Sequence, residues 1–140
     1  MRSACRRLFP LLLATVLCAG CAISPAYLYE NQFDDLDIGG RINHAAYRLS
    51  RGETSFALAR ELQVILVDLH SIDTTHPTLE EINSDFVACV EDLIASLEEM
   101  KQGDPARAEA HYDSARTHYR LADNALNRFK RNMQYASEHG

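Results

Sequence analysis

A chain of 140 residues with 20 acidic and 14 basic side chains carries a formal charge of −6, which argues against binding nucleic acid or anionic lipid through its net field. Its length suits one domain with one hydrophobic core.

At the N-terminus, Arg2, Arg6 and Arg7 precede an apolar run from Leu8 to Val16 whose only non-apolar members are Pro10 and Thr15. A basic start followed by a run too short to cross roughly 30 Å of hydrocarbon has the pattern of a secretory signal peptide, not of a spanning helix. The run ends in Leu17-Cys18-Ala19-Gly20-Cys21. Ala-Gly-Cys in this place resembles the lipobox of bacterial lipoproteins, with Cys18 where that family commonly has Leu. The resemblance covers about the first 21 residues and implies that residues 1–20 are removed and that a diacylglycerol is attached to the Cys21 thiol. Ala22 in place of Asp after the modified cysteine implies sorting to the outer membrane, with the domain facing the periplasm. An ordinary signal-peptidase cut near the same place would release the chain instead. Each buried methylene contributes roughly 0.8 kcal/mol, so such a lipid holds a protein to the bilayer essentially permanently. Loss of residues 1–20 removes three of the 14 basic residues and none of the acidic ones, taking the charge from −6 to −9.

The same division settles the cysteines. As the resemblance implies, Cys5 and Cys18 would leave with the signal peptide and Cys21 would carry lipid, which leaves Cys89 alone and no intramolecular disulfide possible. Its place in the pattern Phe86, Cys89, Val90, Leu93 predicts a buried small hydrophobe, the alternatives being an intermolecular disulfide or a reactive thiol.

Residues 21–33 contain Pro25 and no sustained helical period, which predicts a short tether between lipid and domain. Tyr27, Leu28, Tyr29 and Phe33 within it either pack onto the domain or lie at the lipid headgroup boundary, where amphipathic aromatics settle. Residues 34–140 form the domain. Their apolar positions follow a helical period and no segment alternates as a half-buried strand does, so the expected fold is all-α: an antiparallel bundle of three to four helices with a long C-terminal one.

Ile38, Ile42, Ala45 and Leu49 mark a helix over about 35–50, weakened at its start by Gly39-Gly40 by roughly 1 kcal/mol per glycine. After Gly52, the stripe Leu58, Leu62, Ile65, Leu69 and Ile72 marks a helix over about 54–72. Pro77 interrupts the period, and Thr78-Leu79-Glu80-Glu81 reads as a capping box in which Thr78 accepts from the backbone of Glu81. The helix it opens runs to about Gln102, with Leu79, Ile82, Phe86, Cys89, Leu93, Leu97 and Met100 inward. Gly103-Asp104-Pro105 is a stop-and-start signal that folds the next helix back as a tight antiparallel hairpin. That last helix carries the seam Tyr112, Ala115, Tyr119, Ala122, Leu126, Phe129, Met133 and Ala136, alternating steps of three and four as bundle packing requires.

Chemistry-bearing motifs are sparse. His111 and His118 are about 10 Å apart along a helix, too far to share one ion. His70 and His76 flank a loop with Asp73, and His44 and His139 have no partner in sequence. No serine elbow, phosphate-binding glycine loop, Cys-x-x-Cys-His haem attachment or Glu-x-x-His pair occurs. No catalytic residue, cofactor or metal is therefore expected, and the chain is not expected to be an enzyme.

Charge is more informative, because residues 78–102 are strongly acidic and residues 105–140 are net basic. Glu91, Asp92, Glu98 and Glu99 are expected to face Arg107, Arg116 or Arg120 across the hairpin and help set its register. Arg128, Lys130 and Arg131 near the last C-terminus complement the helix dipole and, with Tyr112 and Tyr119, are the candidate partner-binding residues. By elimination the expectation is a membrane-anchored, non-catalytic interaction or assembly factor, accessory or pilotin-like, acting on an envelope protein client and not on nucleic acid. The alternatives are a periplasmic carrier with a small apolar or metal ligand inside the bundle, its tyrosines lining the cavity, and a purely structural envelope component.

Overall fold

Residues 24–139 are described by a computed structural model. The signal-peptide and Cys21 expectations fall on residues 1–23, which lie, with Gly140, outside the described residues. Those that are described form an all-α bundle of five helices without a strand: α1 (Pro25–Asp35), α2 (Ile38–Ser50), α3 (Phe56–Ser71), α4 (Pro77–Gln102) and α5 (Pro105–His139). Helix α4 is central. It packs on α5 as the main interface and on α3, while α2 lies against α3 and α4, and α1 against α2 and α5.

Local chemistry accounts for most boundaries. Ser55 caps α3 by accepting from the backbone of Leu58 at 3.2 Å, and Leu58, Leu62, Ile65 and Leu69 are fully buried beneath it. Burying side chains of this kind contributes roughly 1.5–3 kcal/mol each. At the α4–α5 turn, Gly103 adopts a φ of 79° that L side chains rarely take, which frees its N–H for Met100 O and that of Asp104 for Glu99 O. Asp104 then caps α5 by accepting from Arg107 N at 3.1 Å. Beyond the turn the two helices approach closely: Ser96 Oγ donates to Ala108 O at 2.7 Å, both residues being buried.

The start of α4 differs from the capping box. Pro77 occupies the first helical position, where its missing N–H costs nothing, so the cap falls on His76, whose Nδ1 accepts from Thr78 N at 3.2 Å. Thr78 is inside the helix and does not cap it. The seam of α5 buries Ala115, Ala122, Leu126 and Phe129 and half-buries Tyr112, Tyr119 and Met133, but Ala136 is exposed. The reason is length: 35 residues make α5 about 52 Å long against about 39 Å for the 26 of α4. Residues 134–139 are exposed beyond Met133. Met100, expected inward, is only half-buried.

The larger correction concerns the stretch read as a tether, which is helical from Pro25 onward. Ala26, Tyr29 and Phe33 face the core, and a series of rings runs from Tyr29 to Phe33, Phe86 and Tyr119 at centroid distances of 5.9, 4.7 and 5.7 Å. Tyr29 Oη donates to Asn83 Oδ1 at 2.9 Å, and Glu30 pairs with Lys130. Tyr27 and Leu28 alone of the four large apolar residues face solvent.

Charge sets register in two ladders. Between α2 and α3, Arg41 pairs with Asp68 at 2.6 Å and Arg48 with Glu61 at 2.5 Å. Across the α4–α5 hairpin the carboxylates meet histidine rings: His111 Nδ1 lies 3.2 Å from Asp92 and His118 Nδ1 lies 3.1 Å from Asp85. The arginines expected there pair locally, Arg107 with Asp104 and Arg116 with Asp113, because each has a carboxylate one helical turn before it.

Candidate functional site: a groove between α2 and α5

Helices α2 and α5 both flank α4, and since α2 leans on α3 and α4 an apolar groove runs along the opening toward α5. Cys89, Leu93, Ser96 and Met100, at helical spacing on α4, form its floor. Ile42, Ala46 and Leu49 of α2 make one wall, and Ala108, Tyr112, Ala115 and Tyr119 of α5 the other. Two separate cavities lie one after the other along these helices, about 310 Å³ near Tyr112 and about 170 Å³ near Tyr119. Asn43 Nδ2 donates to Tyr119 Oη at 3.0 Å and closes the groove at that end. Rim positions are polar, with Asn43 and Ser50 on α2 and Glu109 and Arg116 on α5.

Two titratable groups lining the groove are shifted by burial. Burial, reinforced by the nearby Asp92 charge, pushes the Cys89 thiol up to about 12, so it stays protonated and is no nucleophile at neutral pH. Burial also raises the Tyr119 phenol, against the Asn43 hydrogen bond. His111 and His118 are engaged with Asp92 and Asp85 outside the groove. Among the described residues no group of three or more His, Cys, Asp or Glu side chains could hold a metal ion. What the groove can do is take up apolar side chains while its rim meets polar backbone or charged neighbours.

The structure divides the candidate partner-binding residues. Tyr112 and Tyr119 line the groove together. Arg128 and Arg131 are exposed farther along α5, Arg131 lying about 18 Å beyond Tyr119, and Lys130 is engaged with Glu30. The tyrosines thus edge a surface groove, where a cavity inside the bundle was the alternative. The outer face of α3 also exposes apolar side chains, Phe56 at 81% and Val67 at 66%, separated on that face by Arg60 and Gln63. On the α2 wall the sequence marks Ile42 and Leu49 as apolar stripe but not Asn43 and Ala46, each of which follows a stripe residue by one position.

No helix among the described residues is long and apolar enough to cross a membrane. Compared with protein-family models, curated proteins and solved structures, the chain matches none.

Proposed function

We propose that the chain is an envelope lipoprotein, held to the periplasmic face of the outer membrane through Cys21, whose bundle binds an apolar segment of a client protein in the groove between α2 and α5. The role is that of a non-catalytic accessory or pilotin-like factor. The observation that supports it is the groove itself: an open apolar channel on three helices, edged by two tyrosines, with polar groups along its rim. Half-buried tyrosines suit such a surface, since each offers a large apolar ring with a hydroxyl at its edge.

A photo-cross-linking amino acid at Ala46 or Tyr112 in intact cells tests the reading. It should capture one discrete envelope protein, and Ala46→Trp, which fills the groove, should abolish capture from Tyr112. Capture from Phe56 or Val67 on α3, with none from the groove positions, would move the interface elsewhere. Anchoring is tested separately by Cys21→Ala, which should remove metabolic lipid label and membrane retention. Full retention without label in the unaltered protein would refute it.

A further inference from the structure

We infer that the end of the bundle where α1 begins and α5 finishes rests directly on the bilayer, with Tyr27 and Leu28 seated in the headgroup layer. This builds on lipidation of Cys21. Because α1 starts at Pro25, only three residues separate the anchor from a helix docked on the core, four Cα steps or about 14 Å at full extension. The start of α1 therefore stays within that distance of the surface to which Cys21 is fixed, short beside the roughly 52 Å of α5.

The side chains at this end fit that position. Helix α1 runs antiparallel to the last turns of α5, with Ser24, Tyr27, Glu30, Lys130, Gln134 and Ser137 around a shared cavity. Tyr27 is 57% and Leu28 42% exposed, while the adjacent Tyr29 is fully buried. Helix α1 therefore turns an aromatic and an aliphatic residue outward immediately after the anchor, in the composition that favours a membrane interface. Charge at this end is mixed. The first turn of α1 has no acidic residue, Glu30 pairs with Lys130, and Arg128 and Arg131 are exposed on α5 beside Glu138, while the loop before α4 and its first turn add exposed Asp73, Glu80 and Glu81. Tyr47 and Phe56 lie at the opposite end, toward the α4–α5 turn, where Leu49 and Gly52 approach Met100 and Pro105.

The chain has no tryptophan, so single reporters are available. Full-length protein carrying Tyr27→Trp, Leu28→Trp, Tyr47→Trp or Phe56→Trp is produced in cells, purified from membranes and reconstituted into phosphatidylethanolamine and phosphatidylglycerol vesicles with brominated acyl chains. The reporters at 27 and 28 should each lose about twofold in emission relative to unbrominated vesicles, and those at 47 and 56 should be unaffected. Lipid on Cys21 without quenching at 27 and 28, or equal quenching at all four positions, would overturn the orientation and leave the anchor standing. Absence of lipid on Cys21 would overturn both.

Discussion

Tyr29 of α1 donates its phenolic hydrogen to Asn83 of α4 across 2.9 Å, and the amide of Asn83 donates in turn to Leu69 O of α3 at 3.0 Å. One buried polar chain thus joins three helices. Tyr29→Phe leaves Asn83 Oδ1 without a donor in the core and should cost roughly 1–3 kcal/mol in urea unfolding followed by circular dichroism. Pairing it with Asn83→Leu should recover part of the loss, the coupling expected of contacting residues. Unchanged stability in Tyr29→Phe would contradict docking of α1.

The same burial gives an alkaline signature. It raises the Tyr29 phenol above its ordinary 10.0, so on alkalisation the unfolded chain loses that proton first. The stabilising contribution is complete below about pH 10 and is lost as pH rises beyond it. Tyr29→Phe should flatten the fall in melting temperature above that pH, as differential scanning calorimetry would measure.

Acid acts at the other end of the bundle. The hydrogen bond from Arg48, helped by one from Ser55, holds the Glu53 carboxyl at about 2 against an ordinary 4.5. The unfolded chain takes up the proton first as pH falls, so this contribution is whole above about 4.5 and disappears toward 2. Glu53→Gln should therefore lower the melting temperature at pH 7 and have little effect near pH 2, the comparison being made against the unaltered chain at each pH.

Cys89 is 2% exposed on the groove floor. Its thiol should react with a maleimide at pH 7 only as fast as the bundle opens, and rise to the rate of a free cysteine in denaturant. Rapid labelling of the folded chain at Cys89 would show that the groove floor is open to reagents.

Ala122 is fully buried where α5 crosses α4. Ala122→Leu should destabilise the chain by about 1–3 kcal/mol through overpacking, whereas Ala136→Leu on the exposed tail should change stability by less than about 0.5 kcal/mol. Equal effects in thermal melts would refute the observed end of the seam.

Helices α2 to α5 are legible because their apolar stripes are long and their ends are punctuated: Ile38, Ile42, Ala45 and Leu49 make three helical steps in phase, and Gly103-Asp104-Pro105 names a stop, a cap and a start in succession. Helix α1 is not, since Ala26, Tyr29 and Phe33 make two helical steps, too few to separate period from chance, and Pro25 opens a helix as readily as it ends one. Thr78 misleads for a related reason, Pro77 having moved the cap back to His76. The His–Asp ladder did carry a signal. Asp85 and Asp92 are seven apart, as are His111 and His118, so an antiparallel hairpin that joins one pair joins the other. The groove has no such signature, because it arises where α2 and α5 fail to close over α4, and helix separation is a tertiary quantity.

Helix α2, one wall of that groove, begins after Asp37 at φ 48° and ends before Gly52 at φ 81°. A left-handed residue at each end makes it a discrete segment joined to the rest by two sharp bends. Its amide hydrogens should exchange sooner than those of α4, and together, as a cooperative unit of its own. An occupant of the groove would slow that exchange first, which makes α2 the natural gauge of occupancy.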